Sequence, residues 1–380
     1  MTMTTEMKAY LEASQQELKQ LIRDMCAIPA PSHHEEKRAA FCKKWFEKAG
    51  GKGVYIDEAL NVICPHHVTD DNRLTVFMAH TDTVFPDTEP MPFVETEDTF
   101  QCPGVGDDTA NLAVMMICAR YFLQKDIAPE KGILFVANSC EEGLGNLKGS
   151  RAIVEAYGSR MDALVTFDGF SLDKVVNRAV GSHRYRVTVK TEGGHSFGAF
   201  GNRNAIAVLS SMISTLYSVK VPKVDGSKTT YNVGTIRGGT SVNTIAQEAE
   251  MLYEYRSDSK DCLDKMKDMF EKMVEAYRAT GVAIETELVG DRPCAAGVDA
   301  DAQKALEDLA ADSICRTTGM EPDFRSGSTD CNTSLSRGIP SVCISLCAAA
   351  GAHTRTETLQ LASLPGGCAL CMDFLCHYFN

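Results

Sequence analysis

No run of 18 apolar residues occurs in this 380-residue chain, so no transmembrane helix is expected. Positive charge is scarce: 38 Lys and Arg stand against 51 Asp and Glu, a net charge of −13. A general nucleic-acid binder needs a basic footprint, and an anionic membrane surface would repel this chain, so neither partner is expected. The segment Met1–Gln20 is polar and lacks the apolar core of a secretory signal. A cytoplasmic location is therefore expected, and the 15 cysteines read as reduced thiols buried as small hydrophobes. A second C-x-x-C pair is missing. Cys368 and Cys371 have that spacing and Cys376 is near, but a structural zinc knuckle needs two such pairs, so these read as core residues of a C-terminal helix. Repeats and low-complexity segments are absent too. What is present is ordinary for a globular protein: 44% hydrophobic and 23% charged residues, enough for a sizeable core.

The first half alternates helices and short strands. Residues 14–28 and 35–49 have helical apolar spacing. Leu74–Ala79, Gly132–Ala137 and Asp162–Phe167 are short runs rich in Val, Leu, Ile and Phe, the pattern of strands buried on both faces of a parallel sheet. Asp108–Gln124 is of helical length, and Pro340–Leu346 is a further buried strand. This is an α/β pattern. The middle differs. Tyr185–Lys190 alternates apolar and charged residues. A helix at 203–218, strands at Thr230–Ile236 and Glu248–Arg256, an amphipathic helix at 261–279 and a strand at 282–289 follow. That order, β-α-β-β-α-β, predicts a ferredoxin-like antiparallel sheet. The expected organisation is an α/β domain of residues 1–182 and 291–380, with a second, α+β domain inserted at 183–290.

Acidic and histidine residues gather where the buried strands end. Leu74–Ala79 runs into His80-Thr81-Asp82, and Gly132–Ala137 into Ser139-Cys140-Glu141-Glu142-Gly143. The strand 162–167 runs into Asp168-Gly169, and 340–346 into a small-residue loop ending at His353. Asp107-Asp108 follows the turn Pro103-Gly104-Val105-Gly106. In an open α/β sheet, ligands bind outside the carboxyl ends of the strands, so all five groups can converge on one side. Two histidines and several carboxylates suit zinc or a similar divalent ion. With one bridging carboxylate, and a His and a terminal carboxylate per metal, such a set makes a two-metal hydrolytic centre that activates a shared water. An adjacent Glu that is not a ligand can take that water's proton.

The motifs His80-Thr81-Asp82, Gly106-Asp107-Asp108, Glu141-Glu142-Gly143, Asp168-Gly169, Gly194-His195-Ser196 and Gly351-Ala352-His353 stand in an order that resembles the dizinc exopeptidase and deacylase family of peptidase T, carboxypeptidase G and the aminoacylases. The resemblance covers nearly the whole chain. It implies a zinc-exopeptidase-like catalytic domain with a mixed, mainly parallel sheet, and a lid and dimerisation domain at the insertion. It also implies that His80 binds one metal and His353 the other, that Asp107 bridges both, and that Glu142 and Asp168 are terminal carboxylates. Glu141 would be the general base, and Asp82 would orient the His80 ring. Arg256 would pair with a substrate carboxylate, and Asn243 would bind the substrate backbone, with Asn332 in the same pocket. His195 would reach the oxyanion from the partner chain of a homodimer. The cofactors implied are two divalent ions, zinc first, with cobalt or manganese as alternatives. The terminal Asp168 in place of Glu leans the expectation towards peptidase T-like di- and tripeptidases or aminopeptidases, with N-acyl-amino-acid deacylase or carboxypeptidase activity as the alternative. Thr109, Ala110 and Asn111 depart from the Lys-Gly that many members carry after the paired Asp.

Gly194-His195-Ser196-Phe197-Gly198 also fits G-x-S-x-G, the nucleophile elbow of serine hydrolases, with Asp330 and His353 as partners in chain order. The elbow needs a fully buried strand before it, whereas Arg184–Lys190 alternates. A serine mechanism would also leave Glu141, Glu142, Asp107 and Asp168 without a task. His33-His34 and His66-His67 read as solvated loop residues with no role.

Overall fold

The computed structural model describes residues 2–379. Three helices open the chain: α1 (Thr5–Ala13), α2 (Gln15–Cys26) and α3 (Glu36–Lys48). Strands β1 (Tyr55–Ile56), β2 (Val62–His66), β3 (Leu74–His80), β4 (Val94–Glu95) and β5 (Thr99–Gln101) follow. A π-helical turn at Val105–Ala110 leads into α4 (Asn111–Lys125), then β6 (Gly132–Asn138), α5 (Lys148–Tyr157), β7 (Met161–Phe167) and β8 (Lys174–Ala179). The middle of the chain holds β9 (Gly181–Lys190), β10 (Gly194–His195), α6 (Ala205–Ser218), β11 (Thr229–Gly238), β12 (Thr244–Ile245), β13 (Glu248–Ser257), α7 (Lys260–Arg278) and β14 (Ala283–Arg292). It ends with α8 (Ala300–Thr318), β15 (Asp323–Gly327), α9 (Cys331–Leu335), β16 (Ser341–Ile344), β17 (Ala349–Ala350), β18 (Thr358–Gln360) and α10 (Leu364–Cys376).

Two compact units result: residues 1–179 with 296–380, and residues 180–295. The first is built on an eight-stranded mixed sheet in the order β1-β2-β6-β3-β7-β16-β8-β15. Its centre, β6-β3-β7-β16, is parallel throughout. The central strands β3 and β6 are buried at every residue and apolar over most of their length, as strands covered on both faces must be. Phe77 stacks on Phe135 and Phe167 across three neighbouring strands, with centroids 6.0 and 6.2 Å apart. Helices α4 and α10 are buried almost all round and carry Cys118, Cys368, Cys371 and Cys376 inside the core. All cysteines are free thiols, and among them only Cys315 is exposed. No helix among the described residues is long and apolar enough to cross a membrane.

In the second unit β11, β13, β9 and β14 form an antiparallel sheet, in that order. On β9 the inward Tyr185, Val187 and Val189 alternate with outward Arg184, Arg186 and Thr188, and the inward set packs on α6 and α7.

Three expectations need correction. The helix expected from Asp108 starts at Asn111, because Asp107 and Asp108 have non-helical backbone angles inside the π-helical turn. His66 is not in a solvated loop: it ends β2 and is buried. Helices α1 and α8 also stand where no helix was read from the sequence.

Candidate metal centre

Parallel pairing decides where the chemistry gathers. His80 lies in register with Asn138 at the ends of β3 and β6, and Ile344 with Phe167 at the ends of β16 and β7. The segments that leave these four strands therefore emerge on one side of the sheet. They carry His80, Glu141-Glu142, Asp168 and, after β17, His353. The π-helical turn adds Asp107.

The carboxylate of Asp107 is the centre of the arrangement. Its Oδ1 lies 3.0 Å from Nε2 of His80, and its Oδ2 lies 3.1 Å from Nε2 of His353. One donor atom from each of His80, Asp107 and Asp168 lies within 4.8 Å of the other two, and the same holds for Asp107, Glu142 and His353. Nε2 of His353 is also 3.3 Å from Oε1 of Glu142, a buried residue. His353 itself stands in the left-handed region, at φ 60°.

The electrostatics fit a cation. Burial and the charges of Asp107 and Glu141 push Glu142 up to about 8, although His353 opposes the shift. Burial and Asp107 raise Asp168 in the same direction. Burial alone would lower His80, but Asp108, Asp107 and Asp82 outweigh it and raise it well above the usual imidazole range. Hydrogen bonding to Asp107 and Glu142 raises His353 to about 10. These shifts come from carboxylates and imidazoles crowded together out of water. Two imidazoles with oxygen donors are the ligands that zinc and similar ions prefer. The residues present therefore fit a pair of divalent ions that share Asp107.

The supporting residues are equally specific. Asp82 is fully buried, and its carboxylate accepts the backbone N–H of Glu141 at 2.9 Å and of Glu142 at 3.0 Å. Ser32 donates to the same carboxylate at 2.6 Å. Nδ1 of His80 faces the backbone carbonyl of Asp82 at 3.1 Å and its Oδ1 at 3.4 Å, so Asp82 braces both the ring and the paired Glu. Glu141 is buried beside them.

Four buried carboxylates had no role at a metal centre in the sequence analysis, where Asp108 stood only within its motif and Asp330 only as a partner of Ser196. Asp108 accepts the backbone N–H of His80 at 2.8 Å. Glu35 accepts the N–H of Cys140 at 2.9 Å and its thiol at 3.2 Å, holding a residue whose φ of 55° is left-handed. Asp330 accepts from the amide of Asn138 at 2.6 Å, and burial pushes it up to about 7. Glu357 accepts three backbone N–H groups, from Gly104 at 3.0 Å, Gly106 at 2.7 Å and Asp107 at 2.9 Å. Its own carbonyl accepts from Cys102 at 3.0 Å. One side chain thus fastens the Asp107 turn to the segment that follows His353. The only signal in the sequence is its place four residues after His353.

The other expected residues have different surroundings. Asn332 is fully buried in α9, where its Oδ1 accepts the N–H of Thr329 at 3.0 Å. On the second unit, Arg256 grips Glu254 through Nε and Nη2, both at 3.0 Å. Asn243 is exposed and accepts from the Ser241 hydroxyl at 2.7 Å. His195 is exposed on β10. Its Nδ1 accepts from the backbone N–H of Phe197 and Gly198, both at 3.3 Å, which leaves the proton on Nε2, the tautomer an oxyanion donor needs. Ser196 follows a two-residue antiparallel strand and is not followed directly by a helix, so it lacks the strand–elbow–helix setting.

Residues 76–377 match the model of peptidase family M20/M25/M40. The chain is 26% identical over 372 residues to the uncharacterized protein YqjE of Bacillus subtilis (strain 168), covering 91% of this chain and 95% of that one. Among solved structures, the aminopeptidase PepT of Bacillus cereus ATCC 10987 is similar with a TM-score of 0.74 at 20% identity, over 95% of this chain and 97% of that chain. A tripeptidase of Staphylococcus aureus subsp. aureus Mu50 is similar with a TM-score of 0.74 at 22% identity, over the same shares of 95% and 97%.

Proposed function

This chain belongs to peptidase family M20/M25/M40, the metallopeptidase hydrolases, and on that premise we propose that it cleaves amide bonds in short peptides as a di- or tripeptidase or aminopeptidase. The observation that carries the reading is Asp107, whose two carboxylate oxygens face Nε2 of His80 at 3.0 Å and of His353 at 3.1 Å. A carboxylate whose two oxygens face two separate histidine donors stands where a ligand shared by two ions would stand. We assign His80 and Asp168 to one divalent ion and Glu142 and His353 to the other, with zinc as the ion and cobalt or manganese as substitutes. When bound, the ions supply Lewis acidity that polarises the scissile carbonyl and makes water a stronger acid. Glu141 accepts the proton of the attacking water and delivers it to the leaving amine. Asp82 keeps Glu141 and Glu142 in register by holding both backbone N–H groups.

Recognition of the peptide falls to the second unit in this reading. Arg256 pairs with the substrate carboxylate, because a guanidinium forks onto both oxygens. Asn243 binds the substrate backbone, while Asn332, buried in α9 of the first unit, is the weaker candidate for substrate binding. His195 donates Nε2–H to the oxyanion across a homodimer in the cytoplasm. The activities named for the two structural relatives, an aminopeptidase and a tripeptidase, support short peptides over acyl amino acids.

The test is a panel of di- and tripeptides, N-acetyl amino acids and C-terminally blocked peptides, each assayed with and without chelator. Turnover of the short peptides, lost on chelation and regained with zinc, is the expected result. Turnover confined to N-acetyl amino acids would move the protein to the deacylases. Indifference to chelator would remove the metal mechanism and return attention to Ser196.

A further inference from the structure

One cluster of histidine and carboxylate ligands shares no residue with the centre around Asp107. One donor atom from each of His66, His67 and Asp126 lies within 4.8 Å of the other two. Element ends meet here: β2 closes at His66, Asp126 is the left-handed C-cap of α4, and Lys52 follows α3 closely. An open cavity of about 200 Å³ is walled by Gly50, Lys52, Pro65 and the three ligands.

The tautomer of His66 is fixed by its surroundings. The side chain is buried, and Nε2 lies 2.7 Å from the carbonyl oxygen of Ile127. A carbonyl can only accept, so Nε2 carries the proton and Nδ1 keeps the lone pair. Burial also holds the ring below the usual imidazole range. A ring that donates one nitrogen to a backbone carbonyl and offers the other is how metal-ligating histidines are oriented. The His67 ring stands edge-on to it, with centroids 4.6 Å apart at 88°, and its Nε2 is 3.1 Å from Oδ1 of Asp126. Lys52 occupies only the other oxygen, with Nζ 2.9 Å from Oδ2. The Lys52 side chain is 79% exposed and can leave.

We infer that His66, His67 and Asp126 form an accessory site for a borderline divalent transition ion such as zinc, nickel or copper. Two imidazoles and one carboxylate suit those ions and serve magnesium and calcium poorly. Three protein donors leave the fourth tetrahedral position to water, so the ion is open to exchange. When filled, the site ties the end of β2 to the C-cap of α4. When empty, Lys52 supplies the positive charge that Asp126 then needs.

The test uses the full-length chain stripped of metal and titrated with zinc in equilibrium dialysis. His67→Ala and Asp126→Asn are each expected to bind one zinc fewer per chain than the wild type, with unchanged peptide turnover at saturating zinc. Lys52→Ala removes the competing cation and is expected to tighten the same equivalent several-fold. Equal zinc stoichiometry in wild type and His67→Ala would overturn the inference, and so would a Lys52→Ala isotherm identical to the wild type. Because the readout is a difference of one equivalent, it does not depend on how many ions the Asp107 centre holds.

Discussion

Replacing Glu357 with Gln keeps the side chain's length and removes one of its two acceptor oxygens. If the remaining oxygen stays on Gly106 and Asp107, the N–H of Gly104 faces an NH₂ group and loses its bond. Burial pushes the Glu357 carboxyl up to about 7, so above that pH the bond is to a charged group and contributes about 1.5–3 kcal/mol, and a buried donor left alone costs about 1–3 kcal/mol. Relief of the repulsion between Glu357 and Asp107 offsets part of that loss. About 2 kcal/mol of holding energy on the Asp107 turn is therefore at stake. If the loosened turn misplaces the shared carboxylate, metal affinity should fall by roughly ten- to a hundredfold, the usual effect of losing a partner that orients a ligand. At about 1.4 kcal/mol per tenfold, the two figures agree. Competition for zinc against a chelating indicator measures the affinity directly. Peptide turnover should recover at saturating zinc, because Glu357 touches no reacting atom in this scheme. Unchanged zinc affinity, with or without a fall in thermal stability, would refute the positioning role and leave Glu357 as a fold residue only.

Glu141→Gln should retain metal by elemental analysis and lose nearly all turnover, whereas loss of metal would make Glu141 a ligand and reverse the assignment of the pair. Arg256→Ala should raise KM strongly for peptides with a free C-terminus, and an unchanged KM would remove it from substrate binding. Mixing His195→Ala with Glu141→Gln under conditions of subunit exchange should restore activity in heterodimers, each having one site with both groups intact; demonstrated heterodimers without activity would exclude His195 acting in trans. Phe77→Ala should destabilise the first unit by about 3–5 kcal/mol, as deletion of a fully buried aromatic ring does, and a denaturation midpoint close to wild type would contradict the stacked core.

The parts of the fold legible in the sequence were those with a one-dimensional signature. Leu74–His80 and Gly132–Asn138 are buried at every position, so their runs of apolar residues cannot be mistaken for surface. The strand ends carried the candidate ligands with them, because parallel pairing places successive carboxyl ends together regardless of the sequence between. Other features had no such mark. The start of α4 was obscured because Asp107 and Asp108 take backbone angles that only their tertiary partners enforce. Glu357 acts on a turn 250 residues away, a pairing that no local pattern encodes. His66 looked like half of a polar dipeptide, yet its ring turns inward to the carbonyl of Ile127.

The distribution of thiols gives the chain its own reporter. Cys315 alone is exposed, while the other cysteines are buried in α2, α3, α4, α7, α9, α10, the large sheet and the segments that connect these elements. A thiol reagent should therefore label one site at once and the rest only as fast as each element opens. Mass spectrometry of peptides from a labelling time course would then rank the local opening of both units in one experiment, with no engineered probe. The same distribution means that heat unfolding in air exposes many thiols together, so refolding yield should rise when reductant is present.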